Sequence, residues 1–181
     1  MQFVHKWLSS GLAVLSAAFA IPVVPLASGA EPKELKIVAQ RSFVDQYEGA
    51  PPISFTKPPD KPVEPLVIRS AAELAAVSTK GRGGKDPAKK DLELQKEAEG
   101  LLAKALKVEK IDWEKQMVVA MSDNQASRGS PVWTFASLKV DGDKLVVEVS
   151  RKPSGTPGTS WAVAVVERFD GKVEFKGLPK R

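Results

Sequence analysis

The chain has 181 residues, with 27 Lys and Arg against 22 Asp and Glu, a formal net charge of +5 and no cysteine. Without cysteine there can be no disulfide, thiolate metal site or cysteine nucleophile. The only histidine is His5, inside a leader-like stretch. Its removal leaves no imidazole and excludes Ser-His-Asp and Cys-His catalysis as well as His-ligated zinc or iron.

The leader begins with Lys6 and an apolar stretch from Leu8 to Leu26 that is broken by Pro22 and Pro25. Ser28-Gly29-Ala30 then precedes the charged Glu31-Pro32-Lys33-Glu34. Small residues at −3 and −1 are what signal peptidase accepts, so residues 1–30 are expected to be a signal peptide cleaved after Ala30. A retained anchor prefers about 20 uninterrupted apolar residues, and the two prolines oppose that. The expected product is exported, periplasmic or secreted, with no membrane span after cleavage. A lipid anchor on cysteine is excluded. The remaining residues fit one domain, large enough to bury roughly two thirds of its unfolded surface.

Residues 31–65 are expected to form a proline-rich extended arm ahead of a single domain over 66–181. Leu35–Ala39 has the pattern of a short strand. Six prolines, Pro51, Pro52, Pro58, Pro59, Pro62 and Pro65, fix φ and lack an N–H, which excludes a helix or a central strand there. Ile53 and Phe55 alternate with polar neighbours, so part of the arm can dock as an edge. Leu66-Val67-Ile68 is a short β-like run. Ser70 and Glu73 form a Ser-x-x-Glu capping signal, predicting a helix from Ala71 to about Ser78.

Lys80–Lys85 is a glycine-rich basic loop that fails the phosphate-loop pattern. Thr79 stands where glycine is needed, and Asp86 follows the lysine instead of Ser or Thr. Asp86-Pro87 opens a second predicted helix of about 20 residues. Its apolar stripe is Leu94, Ala98, Leu101, Leu102, Ala105 and Leu106.

From Met117 the period changes to that of strands. Met117–Met121, Trp133–Val140, Leu145–Arg151 and Trp161–Arg168 are expected to form an antiparallel meander, with a bulge near Ala136-Ser137 where the alternation slips. Trp161–Val166 is apolar on both faces, which predicts a strand covered on both sides. Asp141-Gly142-Asp143 reads as a tight turn and not as part of a calcium loop. Asp170-Gly171 carries a hairpin signal ahead of a last strand with Val173 and Phe175. The expected fold is α+β: a meander sheet with one or two amphipathic helices on one face.

In an up-and-down meander the loops Ser122–Pro131 and Lys152–Ser160 lie at one end. Asp123, Asn124, Arg128, Ser130, Ser154, Thr156 and Thr159 then converge on a rim, with Trp133 and Trp161 at the strand ends. Long polar loops on a rigid sheet are where binding concentrates. Arg128 would be a charged anchor and the tryptophans apolar platforms, although both tryptophans fit the core equally well. No cofactor or metal is implied. The charges are interspersed, without the basic stripe and aromatic platforms that nucleic acid requires.

The order of elements also resembles a known family. The residues that carry the likeness are Val67-Ile68-Arg69-Ser70 with Glu73-Leu74, Ile111-Asp112-Trp113 before Met117-Val118-Val119-Ala120, and Gly142-Asp143-Lys144-Leu145-Val146-Val147-Glu148-Val149. Over roughly residues 66–176 the chain resembles the PrcB-like domain, named after an accessory subunit of a secreted protease complex. The resemblance implies a small α+β domain of exported bacterial proteins, non-enzymatic, that supports or stabilises a partner. The family's Gly-Gly-aromatic step is replaced here by Arg128-Gly129-Ser130-Pro131-Val132-Trp133, so no binding residue is carried over.

Together these point to an exported, non-enzymatic protein-binding or accessory module of the bacterial envelope or secreted fraction, whose partner is another exported protein. Nothing in the sequence sets an oligomeric state. Two other readings are a hydrolase using the same rim, through carboxylates or through Ser154 or Ser160 with Lys152, and a purely structural envelope protein.

Overall fold

Successive residues of a strand point to opposite faces, so the run Trp161-Ala162-Val163-Ala164-Val165-Val166 demands apolar cover on both sides. In the computed structural model, which describes residues 32–44, 53, 63–78, 91–123, 131–153 and 160–178, both sides are covered, and all six residues are at most 1% exposed.

The elements run β1 (Lys33–Glu34), β2 (Ile37–Val44), β3 (Val63–Ile68), α1 (Ala71–Val77), α2 (Asp91–Leu106), β4 (Gln116–Asp123), β5 (Val132–Asp141), β6 (Lys144–Lys152), β7 (Ser160–Glu167) and β8 (Lys172–Lys176). They form two four-stranded sheets, β1-β5-β6-β8 and β2-β7-β4-β3. Every pairing is antiparallel except β6 with β8. Between the sheets, Met117, Val119, Met121, Ala162, Ala164 and Val166 meet Trp133, Phe135, Leu138, Leu145, Val147 and Val149. On its other face the second sheet packs Val118, Ala120, Val163 and Val165 against Leu74 of α1 and Ala98, Leu102 and Leu106 of α2. The molecule is therefore α+β in three layers: outer sheet, central sheet, helices.

The expected meander is corrected. Only β5 and β6 pair as consecutive strands of it; β4 pairs with β3 and β7. The reason lies in the side-chain pattern. β4 and β7 are apolar at consecutive positions and need cover on both faces, whereas β5 and β6 largely alternate and can leave one face in water. A single sheet cannot meet both demands, so the strands divide between layers. Asp170-Gly171 likewise is not a hairpin, because β7 and β8 belong to different sheets. A Cβ on Gly171 would lie 2.5 Å from the carbonyl oxygen of Asp143, so glycine is required there by close approach.

Other local expectations hold. The register of β5 against β6 shifts between Phe135 and Ser137, where the alternation slips. Asp141 pairs with Lys144 around Gly142-Asp143, with Gly142 at φ +61, the first position of a tight hairpin turn that glycine favours. Ser70 caps α1 by accepting from the Glu73 N–H at 3.1 Å. Glu73 reaches back to the Arg69 N–H at 2.6 Å, one residue earlier than in the usual reciprocal box. The expected second helix is described from Asp91; Lys80–Lys85 and Asp86-Pro87 lie outside the described residues. α2 ends with Lys107 at φ 58. The Val108 N–H bonds the Ala103 carbonyl at 3.0 Å and the Lys107 N–H the Lys104 carbonyl at 3.3 Å, the paired bonds of a Schellman ending.

The domain also begins earlier than residue 66. The compact unit starts at Pro32, β1 and β2 are strands of the two sheets, and Ile53 is fully buried and bridged to Ser78. The polar residues of β2 disguised it as an arm. They close the side of the sandwich where β2 faces β5: Ser42 donates to the Trp133 carbonyl, and Gln40 accepts from the Phe135 N–H at 3.2 Å.

Candidate functional site

Three surfaces could carry function, and the fold places them at different edges of the sandwich. The first is the end where the loop rim was expected. Asp123 pairs with Ser160, and Val132 pairs with Lys152, so the two connections do start and finish side by side, each passing between sheets. Asn124, Arg128, Ser130, Ser154, Thr156 and Thr159 lie outside the described residues, and Asp123 is described only as the last residue of β4.

The two tryptophans are fully buried, so the platform role is replaced by the core role. They do not share a layer. Trp133 packs between the sheets, while Trp161 lies on the helix side. There Phe43 stacks on it at 3.5 Å between ring centroids, with the Arg41 guanidinium 4.3 Å from the Phe43 ring. Arg41 also donates to the Ala105 carbonyl at 3.0 Å, which suits the negative end of α2. Ser160, the other serine of the Ser–Lys alternative, is fully buried.

The second surface is an open, charged cleft of about 590 Å3 at the opposite end. The turn before β4 is built by Asp112, whose carbonyl accepts from Gln116 at 2.7 Å and Lys115 at 3.0 Å and whose carboxylate accepts from the Glu114 N–H at 3.2 Å. Glu167 accepts from the Lys36 N–H at 3.3 Å. Lys33, Lys36 and Glu114 contribute exposed charges of both signs.

Its floor is held by Arg168, which the sequence did not single out. Arg168 donates to the Trp113 carbonyl at 2.5 Å, the Arg69 carbonyl at 3.1 Å and the Asp170 carboxylate at 2.8 Å. Arg69 in turn donates to the Phe169 and Gly171 carbonyls at 3.2 and 2.8 Å. The two arginines lock the end of β3 to the β7–β8 connection. A basic residue just past a buried strand was the only sequence signal, and it is too common to identify such a clamp.

The third surface is the long side of the sandwich opposite the β2–β5 closure, where β3 and β8 are the sheet edges. Apart from the Arg69 clamp at one end, no cross-sheet hydrogen bond closes this side among the described residues. Val67, Phe169, Val173, Phe175 and Leu178 pack on the inter-sheet core and are only half-buried. This is an apolar row at an open seam.

The outer face of the first sheet is polar. Ser137 donates to Glu148 at 2.7 Å, and this bond, with Lys139 and then Lys176 nearby, holds the Glu148 carboxyl below its ordinary value, while desolvation opposes the shift. A depressed folded-state value contributes stability above the ordinary glutamate range, lost as pH falls through the lowered value. Ser137→Ala is therefore expected to move the Glu148 titration upward, measured by carboxyl NMR; an unmoved titration would assign the effect to the lysines alone.

Among the described residues no group of three or more His, Asp or Glu could hold a metal ion, and no helix is long and apolar enough to cross a membrane. No family model, no curated protein and no solved structure matches the chain.

Proposed function

We propose that this protein is an exported, non-enzymatic binding or accessory module that docks another exported protein. The observation that carries this reading is the half-buried apolar row Val67, Phe169, Val173, Phe175 and Leu178 along the open seam. Contiguous apolar surface with a charged surround marks protein interaction sites. Two further features support it. The resemblance to the PrcB-like domain implies an accessory role in exported bacterial proteins. Cleavage after Ala30 would leave Glu31 immediately before the compact unit that starts at Pro32.

The test is to express the full chain with a C-terminal tag, isolate it from the exported fraction and cross-link before purification. A mature N-terminus at Glu31 and one stoichiometric partner are expected. Two variants separate the surfaces: Phe175→Glu at the seam and Arg128→Ala at the loop end. Loss of the partner with Phe175→Glu, at an unchanged melting midpoint, supports docking at the seam. Loss with Arg128→Ala alone moves docking to the loop end. Absence of any partner contradicts the reading.

A further inference from the structure

We infer that the seam binds its partner by strand addition: an extended peptide segment with apolar residues on one side and acidic residues on the other pairs with the free edge of β8. This rests on the binding reading above and specifies its mode and chemistry.

The four sheet edges differ in what they can accept. β1 and β2 meet at the side closed by the Ser42 and Gln40 side chains. β3 carries Pro65, which has no N–H to give a ladder, and its end is held by the Arg69 clamp. β8 has five residues, no proline, and β6 as its one strand partner among the described residues. Among the described residues no strand pairs with its outward backbone groups, and a free strand edge is the basis of recognition by β-augmentation.

The side chains of β8 define what such a strand must look like. Val173 and Phe175 point inward yet are only half-buried, and among the described residues no next strand covers them. An added strand with apolar residues on that side would complete their burial. On the outer face Lys172, Glu174 and Lys176 are exposed, and Lys144 stands directly beside Lys172. Glu148 stands beside Lys176 on the same face, so three lysines meet two glutamates, and on the β8 edge itself Lys172 and Lys176 flank the single Glu174. This favours acidic residues opposite the two flanking lysines on the outer side of the partner.

The same charges disfavour a second copy. In-register antiparallel pairing of β8 with itself sets Lys172 against Lys176 and Glu174 against Glu174. Shifted registers that match the charges keep few β8 residues paired. Lysine on an exposed edge is a known defence against self-association. Beyond Lys176 the chain turns away at Gly177, φ +87, packed against the Val149 carbonyl, which limits the docking strand to β8 itself.

The experiment uses the mature protein and three capped heptapeptides: alternating glutamate and valine, alternating lysine and valine, and the first with every backbone amide N-methylated. The glutamate peptide is expected to slow exchange of the 172–176 amides and to bind at least about tenfold more tightly than the lysine peptide at low salt. The N-methylated peptide, which cannot complete a ladder, is expected not to bind. The double variant Lys172→Glu/Lys176→Glu changes only exposed side chains and is expected to reverse the preference between the two charged peptides. Equal binding of the N-methylated peptide, protection on β3 or at the loop end instead, or a concentration-dependent dimer with β8 already protected would each overturn the inference. If peptides fail while the Phe175-dependent partner persists, strand addition falls and the binding reading stands. If the partner also disappears, both fall.

Discussion

Replacing Trp161 by alanine is expected to destabilise the protein by about 3–5 kcal/mol, the range for deleting a large buried aromatic side chain. Its ring is fully buried, stacked on Phe43, and packed with Ile68, Leu74 and Leu102 between the central sheet and the helices. Partial collapse around the site cannot refill a cavity that size, because β7 is held by β2 on one side and β4 on the other. The measurement is a urea midpoint at unchanged slope. Trp161→Phe is expected to cost less than half as much. It keeps a stacking partner for Phe43, and the indole N–H has no hydrogen-bond partner to lose. A loss below about 1 kcal/mol for the alanine variant would match a surface ring and contradict the core assignment.

Arg168→Ala is expected to cost about 2–3 kcal/mol, in the range for hydrogen bonds that involve a charged group. The guanidinium satisfies the carbonyls of Trp113 and Arg69 at once, joining the turn before β4 to the end of β3. The ion pair with Asp170 is a minor part of the effect, because the Asp170 side chain is 73% exposed and water screens it. Asp170→Ala should therefore cost well under 1 kcal/mol. Arg168→Lys should recover less than half of the alanine loss, since a lysine ammonium lacks the planar fork that spans two carbonyls. Amide exchange in the 112–116 turn would rise in both Arg168 variants. Equal losses for Arg168→Ala and Asp170→Ala would show that the ion pair, not the pair of carbonyls, holds this end together.

Much of the local structure was legible in the sequence, and the reason is periodicity. The capping serine of α1, the apolar stripe of α2, the slip at Ala136-Ser137 and the two-sided burial of β7 each depend on residues within a few positions of one another. The division into two sheets was not legible as a topology, although its cause lies in the residues themselves. Strands apolar on both faces and strands that alternate cannot share one half-solvated sheet, so β4 and β7 had to leave the meander. β2 (Ile37–Val44) was foreseen only in its first residues, within the Leu35–Ala39 run, for a different reason. Gln40, Arg41 and Ser42 read as surface residues, but their side chains satisfy backbone groups of β5 and α2 that lie far away in sequence.

The site followed the same rule. The two polar connections do begin and end together, which depended only on strand direction. Whether a tryptophan at a strand end faces water or core depends on which layer the strand joins, and both joined the interior. The Arg69–Arg168 clamp and the open seam arise from contacts between residues about a hundred positions apart. No motif announces either.

The central claim is that the β3–β8 side of the sandwich is where this protein meets its partner. The most direct test is amide hydrogen exchange of the cross-linked or co-purified complex against the free protein. The account predicts added protection at residues 172–178 and at Val67, with the interior strands β4 and β7 unchanged. Protection confined to the ends of β4 and β5 near Asp123 and Val132, with residues 172–178 exchanging as in the free protein, would contradict it.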